Sequence, residues 1–179
     1  MKLTPLSIAG AFLVESELVT DERGGFARLF CAATLGAHGA ASQVSQSSLS
    51  FNTRRGTVRG LHFQAAPHEE AKTVACLRGA AWDVVVDLRA GSPTRGRYEA
   101  VEISAAHRRA VHIPAGCAHG FQTLADATEL LYYISAPYDA AAGRGIRWDD
   151  PALGIAWPLP VSVISDRDRA LPLLADLGG

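Results

Sequence analysis

Along this chain apolar and polar residues alternate in short runs, and turn formers break the runs roughly every ten residues, the rhythm of an all-β sandwich or barrel. The turn DERGG at Asp21 to Gly25 leads into the strand-like FARLF, and Gln43 to Ser50 is polar with weak alternation. Thr57 to Gln64, Ala71 to Leu77 and Ala81 to Leu88 predict three successive strands, the last two joined through Arg78-Gly79 as a tight hairpin. After a loop at Ala90 to Gly96, further strands are predicted at Tyr98 to Ile103, Ala110 to Ile113, Gly120 to Leu124 and Glu129 to Ser135. Helix is confined to Ala32 to Ala37 and a turn near Ala140 to Gly143. From Asp149 onward a proline-rich tail is expected to wrap the body without forming a regular element. The pattern predicts one domain over residues 1–179, all-β, a jelly-roll barrel with short peripheral helices and a C-terminal arm.

Composition narrows the partners. With 179 residues, 48% of them apolar, the chain has material for one well-buried core. A net charge of -1 gives no global attraction to nucleic acid, so any anion site has to be a local cluster. Cys31, Cys76 and Cys117 are odd in number and match no zinc spacing, which fits small buried thiols in a reducing compartment. The apolar stretch Ile8 to Val14 is broken by Gly10 and is short for a signal-peptide core, and no run approaches a membrane span. These features predict a cytoplasmic protein with neither nucleic-acid nor membrane partners.

Candidate chemistry is concentrated in RGLHFQ at Arg59 to Gln64 and IPAGCAHGF at Ile113 to Phe121. The second segment has the P-x-G-x-x-H spacing of one half of a cupin barrel. In the first, Gln64 stands where a metal-binding cupin carries the second histidine of H-x-H, which favours acid/base chemistry over a metal centre. Strand parity puts Val58, Gly60, His62 and Gln64 on one face, so His62 points into the barrel, where imidazole can act as a general base. Taken alone, a buried histidine tied down by hydrogen bonds explains His62 more readily. Arg59 falls on the opposite face unless Gly60 introduces a bulge. Lys72 shares a face with Val74 and Cys76, a costly place for a cation unless it meets an anion. Tyr132 and Tyr133 are adjacent, so only one faces inward, and parity does not choose. Arg23, Arg54, Arg55 and Arg59 form either a diphosphate cradle or a solvated basic edge, and the pattern fits both equally.

In order along nearly the whole chain, these segments resemble the dTDP-4-dehydrorhamnose 3,5-epimerase family of the cupin superfamily. The resemblance rests on DERGGF at Asp21, VRGLHFQ at Val58, the strand at Lys72, DVVVDLRAGSPTRGR at Asp83 and HIPAGCAHGF at His112. It continues through ELLY at Glu129, IRWDDPALGIAWP at Ile146 and SDRDRALPLL at Ser165. It implies that His62 is the base acting beside a sugar C4 ketone, Asp168 its orienting partner, Tyr132 the acid on the opposite face and Lys72 the cation for the enolate oxygen. It further implies that Tyr138 stacks on the nucleotide base, that Arg23, Arg59 and His119 hold the diphosphate and sugar, and that Phe26 and Gln46 also bind substrate. A homodimer and a reaction without metal or other cofactor are implied as well.

The chain departs from the family pattern at Arg28, at Ser47 and Ser48 after Gln46, and at Ala75, Tyr133 and Gly143, where the family has other, often charged, residues. The catalytic set is intact and the nucleotide-binding shell is altered. The expected reaction is therefore epimerisation of a nucleotide-linked 4-keto-6-deoxyhexose. The rivals are a sibling inverting C3 or C5 alone, a metal cupin using His62, Gln64, Glu69 and His119, and a non-catalytic sugar-nucleotide binding protein.

Overall fold

The computed structural model describes residues 1–177. The N-terminal stretch is two short strands, β1 (Lys2–Pro5) and β2 (Phe12–Glu15), followed by the hairpin of β3 (Leu18–Asp21) and β4 (Gly24–Ala27) and by helix α1 (Ala32–Ala37). The body comprises β5 (Gln46–Asn52), β6 (Val58–Gln64), β7 (Lys72–Arg78), β8 (Ala80–Asp87) and β9 (Tyr98–Ser104). It continues through β10 (Arg109–Ile113), β11 (Cys117–Thr123), β12 (Thr128–Ile134) and β13 (Gly143–Gly145). The tail carries a one-turn helix α2 (Asp166–Arg169) and a 3-10 turn (Leu174–Leu177).

Two antiparallel sheets face each other as a jelly roll, one ordered β1-β2-β10-β7-β12-β5 and the other β13-β6-β11-β8-β9. Period-two patterning sends one side chain in two between the sheets. Val74 and Cys76, Ala81 and Val85, Val111 and Ile113, Cys117 and Phe121, and Leu130 fill that space. The opposite faces are covered separately. Phe12, Val14, Ala75 and Ala110 pack under α1 through Leu35, whereas Leu61, Val84, Val86 and Ala118 pack under the tail through Leu153, Trp157 and Leu174.

Three expectations are corrected here. Arg78-Gly79 is not a hairpin, because β7 and β8 belong to different sheets. Gly79, at φ +73°, turns a corner between the layers. The strand expected over FARLF stops at Ala27, and Phe30 turns back onto Tyr133 at 5.0 Å between ring centroids. The tail is not wholly irregular, and its helix α2 supplies a site residue.

Candidate active site

A cavity of about 320 Å³ opens at one end of the barrel between β5, β12 and β7 on one side and β6 and β11 on the other. His62 and His119 are cross-strand neighbours on β6 and β11. The next aligned pair is Arg59 with Phe121, so Gly60 and Leu61 together oppose the single residue Gly120. That bulge brings Arg59 round to the cavity with His62, against simple parity. Only glycine fits at its centre. Gly60 has φ +124°, and a Cβ there would lie 2.5 Å from the Gly120 Cα.

His62 is held from the tail. The tail returns beside β6, where Val58 donates its N–H to the Val163 carbonyl at 2.8 Å. Ser165 then caps α2 by accepting the Asp168 N–H. This delivers the buried Asp168 to His62, with Oδ1 2.7 Å from His62 Nε2, while Oδ2 accepts the Gly60 N–H at 3.1 Å. Burial works to raise the Asp168 pKa, but the hydrogen bond and charge of His62 and the Gly60 N–H hold it below the usual carboxylate value. A charged carboxylate thus fixes the orientation of the ring.

A second histidine–carboxylate pair lies alongside. His119 Nε2 is 2.8 Å from Oδ2 of Asp83, which is fully buried on the inner face of β8. The Tyr132 ring packs edge-on against His119 at 5.8 Å. Burial, reinforced by the Asp83 carboxylate and only partly opposed by Arg59, holds the Tyr132 phenol far above its usual pKa. The phenol therefore stays protonated and can donate. Tyr132 is the inward member of the tyrosine pair, and Tyr133 points to Phe30.

Lys72 reaches the cavity from β7. Its Nζ is 2.8 Å from Oε1 of the buried Glu70 and donates to the His62 carbonyl at 3.3 Å. Arg59 is held by Asn52, whose Oδ1 accepts its Nε–H at 2.8 Å. Gln46 lines the cavity, but its side-chain oxygen accepts the Tyr138 N–H and so positions that loop. Tyr138 overhangs the rim with 64% of its surface exposed.

Thus His62, Lys72, Tyr132, His119, Arg59, Gln46 and Tyr138 share one cavity, with Asp168 behind His62. Arg23 and Phe26 do not line it. They sit on the β3–β4 hairpin, where Arg23 pairs with Asp21 at 2.5 Å and Phe26 is 76% exposed. Arg54 and Arg55 are also absent from the cavity, so of the four arginines that fitted either a cradle or a solvated edge only Arg59 lines it within one chain. The structure adds Arg144 and Arg167 to the lining, and Asp83, Glu70 and Asn52 as partners of predicted residues. Asp83 and Glu70 had a signal in the sequence, each being a carboxylate at an inward-facing strand or strand-entry position.

The donor set of the rival metal cupin does not converge. Gln64 Oε1 accepts the Asp139 N–H at 2.6 Å, both histidine Nε2 atoms are held by carboxylates, and Glu69 lies outside the cavity. Among the described residues no three histidine, cysteine, aspartate or glutamate side chains gather as a metal site.

The family model described as dTDP-4-dehydrorhamnose 3,5-epimerase matches residues 5–176. The chain belongs to that family. A dTDP-4-dehydrorhamnose 3,5-epimerase of Sinorhizobium fredii is 42% identical over 178 residues, covering 99% of this chain and 91% of the relative. A dTDP-4-dehydrorhamnose 3-epimerase of Streptomyces niveus is 41% identical, covering 98% and 85%. The crystal structure of a dTDP-6-deoxy-D-glucose-3,5-epimerase from Legionella pneumophila in complex with dTDP-4-keto-L-rhamnose superposes with a TM-score of 0.92 at 33% identity, over 99% of this chain and 94% of that one. The jelly roll is thus the cupin barrel of this family, and the chain is a carbohydrate epimerase by descent.

Proposed function

We propose that this chain epimerises a nucleotide-linked 4-keto-6-deoxyhexose, by default inverting C3 and C5 of dTDP-4-dehydro-6-deoxy-D-glucose on the way to dTDP-L-rhamnose. The observation that carries the reading is the convergence of the His62–Asp168 pair, Lys72 and the protonated Tyr132 on one cavity. A C–H bond α to a ketone is weakly acidic. His62 takes that proton, the electron pair becomes an enolate on the C4 oxygen, and Lys72 stabilises the negative oxygen. The enolate carbon is then reprotonated from the opposite side by the Tyr132 O–H, which inverts the centre. Protons exchanged with solvent restore His62 and Tyr132. Acid, base and cation all come from side chains, so the reading calls for no metal or redox cofactor.

Arg59, Arg144 and Arg167 at the cavity suit a diphosphate, and Tyr138 offers a stacking face for the base. Ser48 and Gly143 line the nucleotide end without contributing a carboxylate. A single-carbon reaction is the second reading, favoured by the close likeness to a 3-epimerase.

The assembly proposed is a homodimer. Edge strand β5 exposes Leu49 and Phe51 at 58% and 51%, and the hairpin exposes Val19 and Phe26 at 67% and 76%. The test of function is incubation with the keto-sugar nucleotide in D2O, with chelator present, followed by NMR. Deuterium at C3 and C5 is expected. Label at C3 alone would move the assignment to the single-carbon reaction, and no label at either position would leave only a binding protein.

A further inference from the structure

We propose that Glu70 is the positioning residue of the enolate site, acting through Lys72. The inference rests on the epimerase reading above. Glu70 and Lys72 are two residues apart at the entry to β7, so both side chains fall on the face that looks into the cavity. The side chains are 6% and 11% exposed, respectively, and Oε1 lies 2.8 Å from Nζ. Lys72 also donates to the His62 carbonyl at 3.3 Å. Two of the three ammonium hydrogens are thereby committed and the third is left for a ligand oxygen. A lysine stem carries much rotamer freedom, and a cation stabilises a developing enolate only if it is already in place. Glu70 removes that freedom.

Its second oxygen, Oε2, is buried without a hydrogen-bond partner. Leaving a buried carboxylate oxygen unpaired is unfavourable, and folding alone would favour apolar residues in place of the Glu70–Lys72 pair. A cost of this kind retained at a cavity wall marks a group kept for the site. The chain Glu70–Lys72–His62 also ties the cation to the backbone of the base residue, so the two move as a unit.

The test is a double-mutant cycle on deuterium exchange into the keto-sugar nucleotide, using Glu70→Ala, Lys72→Ala and the pair together. Glu70→Ala is expected to lower kcat about tenfold or more with KM changed less than about threefold, because displacement of a catalytic group is felt in the chemical step. Its Tm is expected to fall, because the buried Lys72 ammonium loses its counter-ion, so kcat is read at a temperature where the variant is shown to be folded. In the Lys72→Ala background, Glu70→Ala is expected to add less than about a twofold effect, because the group it positions is gone. Wild-type kcat in folded Glu70→Ala, or full additivity in the cycle, would overturn the proposal. If Glu70→Ala does not fold, Glu70→Gln replaces it. It keeps an acceptor for Nζ and should retain kcat within about threefold; a loss as large as that of Lys72→Ala would also overturn the idea. A wild-type protein that exchanges neither carbon would instead refute the epimerase reading itself.

Discussion

At the scale of single residues, the site is two histidine–carboxylate pairs with different surroundings. His62 is partly exposed to the cavity and its partner Asp168 arrives from the tail, whereas His119 and Asp83 are both buried among strands. The first pair can exchange protons with solvent, and the second is walled in against Tyr132. His62→Ala is therefore expected to lower deuterium exchange on the order of a hundredfold or more while leaving the fold and nucleotide binding intact. Asp168→Asn should be impaired less, because the imidazole remains and loses only its orienting charge. Near-normal exchange by folded His62→Ala protein, followed by NMR, would assign the base elsewhere. Much of this was legible in the sequence. His62 and Lys72 sit on inward positions of recognisable strands, His119 is marked by its P-x-G-x-x-H spacing, and of the two adjacent tyrosines one had to face inward. The carboxylates behind them were harder, since Asp168 lies 106 residues from His62 and nothing local signals the pairing.

At the scale of elements, spacing located the strands and did not say which sheet each joins. Strands are local, written in alternation and turns. Sheet membership depends on contacts far apart in sequence, so Arg78-Gly79 reads as a hairpin until β7 and β8 are seen in opposite layers. β1 and β2 were missed because each spans four residues, too short for a period to emerge. The bulge in β6 shows how one residue can carry an element's function. Gly60 permits two residues to oppose one, and this turns both Arg59 and His62 toward the cavity. Gly60→Ala puts a methyl group into the Gly120 backbone at a φ of +124°. We expect a loss of about 2–3 kcal/mol and a Tm lower by roughly 5–10 °C, together with reduced exchange beyond what the stability loss explains. Calorimetry alongside the NMR assay checks this, and an unchanged Tm would mean that the strand can pair without its bulge. A second element carries a pH response. His112 on β10 is buried beside Phe12, with Nδ1 2.9 Å from the Thr73 hydroxyl and Nε2 unpartnered. Burial pushes its pKa down from 6.5 to about 4. Between those values the unfolded chain binds more protons than the folded one, so stability is complete above about pH 6.5 and falls as pH drops toward 4, by about 3 kcal/mol. Urea unfolding of wild type and His112→Leu across that window should show a steeper slope in wild type, the variant keeping only the carboxylate contribution near pH 4. Equal slopes would place the response in other groups.

At the scale of the whole molecule, the unexplained surface and the unplaced residues coincide. The hairpin carries Arg23 and Phe26, both expected at the substrate, yet neither lines the cavity of its own chain. It also exposes Val19 and Phe26, while β5, which borders the cavity through Gln46, Ser48 and Ser50, is an unpaired sheet edge exposing Leu49 and Phe51. Free apolar edges invite another strand, and a two-fold pairing of identical chains satisfies both at once. In such a dimer the hairpin of one chain would close the cavity of the other, and each site would be shared. That sharing has a consequence no single-chain reading allows. His62→Ala lacks the base but keeps its hairpin, whereas Arg23→Ala with Phe26→Ala keeps the base and lacks the hairpin contacts. Each preparation alone should be nearly inactive. After subunit exchange in an equal mixture, about half the dimers are mixed, and one of the two cavities in each has both His62 and an intact hairpin. Activity should recover to about a quarter of wild type, measured as deuterium exchange after co-incubation under conditions where sedimentation shows exchange of subunits. Exchange of subunits without recovery of activity would confine each site to one chain and leave Arg23 and Phe26 without a role in it.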